Sequence, residues 1–161
     1  MKFSALTLIP AVLALATTAL ASVRVRMYTV STSTALNDLD LGSQLETDGE
    51  GYIFLGNHGG QFYYYDVLNT SFHSDATFGD VYYFAIEDNI VKYTTDTTKA
   101  ISKWTYSATL FYNSLTLYWY ACTAQDDPAG YNEGQYLLMH YGFGATVPKT
   151  CTSITVNVLA I

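Results

Sequence analysis

From residue 52 onward, short stretches rich in Tyr, Val, Ile, Thr and Phe alternate with turn residues, and no stretch carries apolar residues at helical spacing. Strands are expected over 61–67, 80–86, 90–93, 104–112, 115–122, 135–141 and 153–159. The last shows the pattern most clearly. Ile154, Val156 and Val158 fall on one face and Ser153, Thr155 and Asn157 on the other, as a half-buried strand requires, and this strand is expected to close the sheet. Three links, 56–60, 87–89 and 113–114, offer Gly, Asn or Asp where a tight hairpin needs positive φ, so pairing should be antiparallel. The expected fold is all-β, a compact antiparallel β-sandwich or barrel. A faint echo relates 84–93 to 104–118 at a spacing of about 20 to 25 residues. If 52–65 supplied a third copy, the fold would be a β-trefoil, which is the alternative.

The first 21 residues follow a different rule. Met1-Lys2-Phe3 makes a short basic start, 6–20 is apolar and Ala-rich, and Ala19-Leu20-Ala21 has the small-x-small form of a cleavage site. Residues 1–21 are therefore expected to be a secretory signal peptide, and 22–161 a single secreted domain. The only other apolar tail, 156–161, is too short for a lipid-anchor signal, so no membrane attachment is expected after cleavage. Export changes the meaning of the two cysteines. Cys122 and Cys151 should form a disulfide, worth roughly 3 to 4 kcal/mol in the chain-entropy model. It also gives weight to Asn69-Thr70-Ser71, a sequon between aromatic segments that makes Asn69 a candidate glycosylation site.

The chain has 161 residues, of which 50% are apolar, 16% aromatic and only 13% charged, a composition that supports one buried core and excludes disorder. Its formal net charge is −7, and loss of Lys2 with the signal leaves 6 of the 7 basic residues against 14 acidic ones. No Lys/Arg cluster offsets this field, so nucleic acid is not an expected partner.

Motifs for chemistry are missing. There is no Gly-x-Ser-x-Gly elbow, no His-Glu-x-x-His pair and no Gly-rich phosphate loop. Carboxylates occur in pairs at Asp38/Asp40, Asp48/Glu50 and Asp126/Asp127, but neighbours in sequence do not make the two facing carboxyls of a glycosidase, and Asp126-Asp127-Pro128 reads as a turn. His58, His73 and His140 are scattered singly, so zinc has no ligand set, and His73 and His140 read as packed or rim residues. No catalytic residue, metal or cofactor is expected.

The feature with functional reach is the aromatic content. The chain has 15 Tyr and 2 Trp, and runs such as Tyr63-Tyr64-Tyr65, Tyr82-Tyr83 and Tyr118-Trp119-Tyr120 must place rings on both faces of their strands. Rings that reach solvent can stack on sugar faces while neighbouring Asn, Asp and Gln bind hydroxyls. Tyr63, Tyr64, Tyr65, Tyr118, Trp119 and Tyr120 are accordingly the candidate glycan contacts.

Several ordered segments carry a family resemblance: Tyr52-Ile53-Phe54-Leu55-Gly56, an aromatic stretch from Trp104 to the pair Ala121-Cys122, Gly134-Gln135-Tyr136-Leu137-Leu138, and Cys151-Thr152-Ser153-Ile154-Thr155-Val156. Following a signal-like start, this layout resembles the PhiA-type cell-wall proteins of ascomycete fungi, and is similar in layout to the C-terminal domain of Pir mannoproteins. Thr123 stands where a Pro often follows the Ala-Cys pair, and no Gln-rich repeat is present, so covalent attachment to glucan is not implied. The resemblance implies a non-catalytic secreted or cell-wall-associated fungal structural or surface protein, and the exposed aromatics make wall polysaccharide its candidate partner. The alternatives are a carbohydrate-binding module, a small secreted glycan-acting enzyme and a secreted effector.

Overall fold

The computed structural model describes residues 22–45, 51–57, 61–74, 80–100, 104–107, 110–113, 118–123 and 135–161. The expected signal peptide, 1–21, lies outside them, as do His58, Asp48, Glu50, Asp126 and Asp127. The described residues are all-β, with twelve strands: β1 (Ser22–Val30), β2 (Asp40–Leu45), β3 (Gly51–Gly56), β4 (Phe62–Asp66), β5 (Ser71–Ser74), β6 (Tyr82–Glu87), β7 (Ile90–Thr94), β8 (Trp104–Ser107), β9 (Leu110–Asn113), β10 (Trp119–Thr123), β11 (Tyr136–His140) and β12 (Cys151–Ala160). Ten of them form one antiparallel sheet that closes into a ring, and β8 pairs with β9.

The pairing repeats three times. β1 pairs with β4, β4 with β5 and β12 with β1, while β8 pairs with β9 and β9 packs against β12. The backbone N–H of Trp104 at the start of β8 donates to the carbonyl of Thr70 at the edge of β5, so this barrel wall is continuous. Above the wall stand three hairpins, β2–β3, β6–β7 and β10–β11. Their second strands, β3, β7 and β11, pair with one another in a triangle. Moving four places along the chain carries β4–β5 onto β8–β9 and β12–β1, and β2–β3 onto β6–β7 and β10–β11, which is the arrangement of a β-trefoil, a barrel capped by a hairpin triplet; among the described residues β10 also pairs with β12, without a counterpart in the other two repeats. The all-β, barrel-like fold that was expected is present, and its threefold hairpin arrangement corresponds to the alternative, the β-trefoil.

Local chemistry explains the elements that were anticipated. Asp88 and Asn89 adopt φ of 50° and 68°, the two positive angles of a two-residue hairpin, and they join β6 to β7. β12 buries Ile154, Val156 and Val158 and closes the ring against β1, with Val156 opposite Thr29. Other expectations are corrected. The link over 56–60 is not a hairpin, because β3 pairs with β2, β7 and β11 while β4 pairs with β1 and β5. The expected strand 104–112 is two strands, and Trp104–Ser107 pairs with Leu110–Asn113, so the hairpin precedes the anticipated turn at 113–114. The true counterparts of 82–94 are therefore β2–β3 and β10–β11, not 104–118. β1, β2, β3 and β5 fall outside the expected strands.

The core fills the barrel with rings. Trp104 and Trp119 stack at 5.7 Å with planes 21° apart, and Tyr63, Phe72, Phe84 and Tyr93 pack around them with Met27, Leu41 and Ile53. Two buried phenols bind backbone instead of water: Tyr63 Oη donates to the Leu41 carbonyl at 2.7 Å, and Tyr65 Oη to the Trp104 carbonyl at 2.8 Å. Each bond ties a barrel strand to another part of the ring, so these tyrosines bury their rings without stranding a polar group.

Candidate functional site

Antiparallel register sets which side chains meet on the outer wall. Arg24 of β1 lies opposite Tyr64 of β4, Tyr64 opposite His73 of β5, and His73 opposite Tyr83 of β6. Their inward neighbours, Val25, Tyr63, Phe72 and Phe84, are in the core, so period-2 alternation turns all four outward. The result is a strip across four strands. Tyr64 and His73 stack at 5.7 Å and 16°, and His73 meets Tyr83 at 6.0 Å and 55°. The Arg24 guanidinium sits 3.8 Å above the ring of Phe62, which is exposed at the start of β4, and so extends the strip by a cation–π contact. Because Tyr64 and His73 share their faces with each other, the strip offers solvent ring edges, phenol hydroxyls and an imidazole nitrogen, with a positive charge at one end.

A second aromatic group lies on the third repeat. Tyr118, before β10, is 6.4 Å from Phe143, and Tyr120 meets Tyr141 edge-on at 5.4 Å. Phe143 is 87% exposed in the turn closed by the Ala145 N–H to the Gly142 carbonyl, where Gly144 takes φ of 78°. Of this group Tyr118 and Phe143 are exposed, Tyr120 is half-buried and Tyr141 is buried. In the sequence the signal for Phe143 is a lone aromatic between two glycines, Gly142 and Gly144.

The six candidate glycan contacts divide by phase. Tyr63, Tyr65 and Trp119 belong to the core and cannot touch a glycan, which corrects their inclusion. Tyr64 and Tyr120 are half-buried and Tyr118 is exposed. Arg24, Phe62, His73 and Tyr83 join Tyr64 through cross-strand register, which residue type alone does not reveal.

Cys122 and Cys151 form the expected disulfide, directly opposite each other on β10 and β12 with Cα atoms 4.0 Å apart. Asn69 is exposed in the turn between β4 and β5, where Asp66 caps the N–H groups of Leu68 and Asn69 and accepts from Asn69 Nδ2 at 2.6 Å. Partial burial works against ionisation of Asp66, but these donors outweigh it and hold the carboxyl below its ordinary range.

The described carboxylate pair has structural work. Asp40 is buried and takes Arg26 Nε at 2.6 Å, while Asp38 sits in the preceding turn at φ 65°. His140 is half-buried with its ring 4.9 Å from Trp119, and burial lowers its pKa. Among the described residues no group of three His, Cys, Asp or Glu side chains could hold a metal ion. No protein-family model, curated protein or solved structure matches this chain.

Proposed function

We propose that this is a secreted, non-catalytic surface protein that adheres to wall polysaccharide through aromatic side chains on the outside of its barrel. The observation that carries the reading is the strip Arg24, Phe62, Tyr64, His73 and Tyr83, a row of rings and hydrogen-bonding edges fixed by register on a closed, rigid wall. Adhesion needs a rigid platform with rings and hydroxyl partners, and this wall supplies both without any moving part. The signal-like segment 1–21, the disulfide and the resemblance to PhiA-type proteins support an extracellular place for it. The sequon at Asn69 lies in an exposed turn at the end of β4, so a glycan there would extend from the rim of the strip.

The test is retention of the purified 22–161 protein on insoluble β-glucan and chitin, with hydrolysis followed on the same polymers. Tyr64→Ala combined with Tyr83→Ala is expected to abolish retention while leaving the unfolding midpoint nearly unchanged, and no sugar is released. Sugar release abolished by one Asp or Glu substitution would replace adhesion with catalysis.

A further inference from the structure

Three segments converge where β3 leaves the hairpin triplet. Ala35 and Leu39 come from the β1–β2 connection, Leu55, Gly56 and Asn57 from the end of β3, and Gln135 and Tyr136 from the entry to β11. Together they line an open cleft of about 290 Å³. Its residues come from the β1–β2 connection and the hairpin strands β3 and β11 with their flanking residues, none of which carries a residue of the aromatic strip.

The cleft is built on fixed backbone. Leu55 pairs with Leu41 on one side and Tyr136 on the other, so its floor is a continuous three-strand sheet. Its other wall is pinned by Thr29, which is fully buried in β1. Thr29 N–H donates to the Leu39 carbonyl at 2.9 Å, its carbonyl accepts from Asp38 N–H at 2.9 Å, and its hydroxyl accepts from Leu39 N–H at 3.1 Å and donates to the Leu36 carbonyl. Asp38 is held at φ 65° by the same bonds, a conformation that costs a non-glycine residue energy and that the surrounding structure must enforce. A wall so braced is formed before any ligand arrives.

The lining selects a chemical class. Among the described residues that line it there is no Asp, Glu, Lys, Arg or His, so an ionic ligand would find no counter-charge among them. Asn57 and Gln135 each bring a carboxamide able to donate and accept, Tyr136 a phenol, and Ala35 and Leu39 a small apolar surface, while Leu55 beneath them belongs to the core. Paired donors and acceptors beside an apolar patch match a neutral pyranose, which has hydroxyls around its rim and C–H groups on its face. The size lies at the lower end of the ≈ 300–1,000 Å³ of small-molecule pockets, room for a sugar unit and not for a length of chain.

We infer that this cleft is a binding site for a single neutral pyranoside. The inference rests on the carbohydrate reading above but not on the aromatic strip. The experiment is saturation-transfer and chemical-shift titration of the 22–161 protein with methyl glucoside, methyl mannoside and N-acetylglucosamine, with glucuronic acid and glucosamine as charged probes. At least one neutral probe should bind saturably and the charged probes should not. Asn57→Ala and Gln135→Ala should each weaken binding about tenfold, the loss expected for one hydrogen bond to a hydroxyl. Gln135→Glu, which keeps shape and adds charge, should change the neutral-over-charged preference. Leu159→Ala, exposed on β12 and outside both the cleft and the strip, should leave these titrations unchanged. Absence of any saturable neutral probe, equal binding of the charged ones, or insensitivity to both amide substitutions would overturn the site. Retention on polymers that depends on Tyr64 would survive that result, so the two readings fail separately.

Discussion

Two aromatic triplets of similar composition, Tyr63-Tyr64-Tyr65 and Tyr118-Trp119-Tyr120, sit in the fold in opposite phase. In β4 the outer two rings of the triplet are buried and the middle one faces solvent; around β10 the middle ring is buried and the outer two reach the surface. Their anchoring differs as well. β4 is held by pairing with β1 and β5 and by two phenol-to-carbonyl bonds, whereas β10 is held by β11, β12 and a disulfide. Alternation is a property of any strand, but its phase is set by which neighbour it pairs with and in what register. Equal strings of rings can therefore place different numbers of rings in the core.

The comparison is sharpest at the middle positions. Trp119→Ala removes a fully buried ring stacked on Trp104 and should cost about 3–5 kcal/mol, whereas Tyr64→Ala, at the same place in its triplet, should cost less than about 1 kcal/mol. Chemical denaturation of the two variants checks this, and equal losses would break the assignment of opposite phase.

The next effect tests the difference in anchoring. Cys122→Ala should destabilise by about 2–5 kcal/mol, since it releases the clamp between β10 and β12. Native-state hydrogen exchange in this variant should rise first in β10 and β12 and leave β4 protected. Uniform loss of protection would show that the two triplets share one cooperative unit.

Tyr63→Phe keeps the ring and removes the hydroxyl that satisfies the Leu41 carbonyl, with an expected cost of about 1–3 kcal/mol. Tyr64→Phe, whose hydroxyl faces outward, should leave the midpoint unchanged. Thermal unfolding of the pair distinguishes a bonded buried phenol from an exposed one.

The smallest effect is a pH dependence that belongs to the second triplet. Burial beside Trp119 lowers the pKa of His140, so the unfolded chain takes up the proton more readily than the folded one. Stability is then present above the ordinary imidazole value and is lost as pH falls through it toward the folded value. As pH falls below the ordinary imidazole value of 6.5 the unfolding midpoint should decline, and His140→Gln should flatten that part of the profile. A profile identical in both proteins would remove His140 as its source.

Residues alone determined the class of structure and several of its local parts. β-branched and aromatic residues without helical spacing led to strands, Asp88-Asn89 to the β6–β7 turn, the alternation of 153–159 to a half-buried closing strand, and an even count of two cysteines to Cys122–Cys151. Each of these is local, or counts pairs. β1 was also readable, since Arg24, Arg26 and Tyr28 alternate with Val25, Met27 and Thr29, but β2, with Gly42, Ser43 and Gln44, and the four residues of β5 carry too little pattern to stand out. What only the tertiary structure decided is who pairs with whom. The triangle of β3, β7 and β11, the split of 104–113 into a hairpin, the row from Arg24 to Tyr83 and the cleft between Asn57 and Gln135 all depend on contacts between residues far apart in the chain. Such contacts are chosen by closure of the barrel around one ring-filled core, where every strand must satisfy two neighbours at once, and no segment's own composition encodes which neighbours those are.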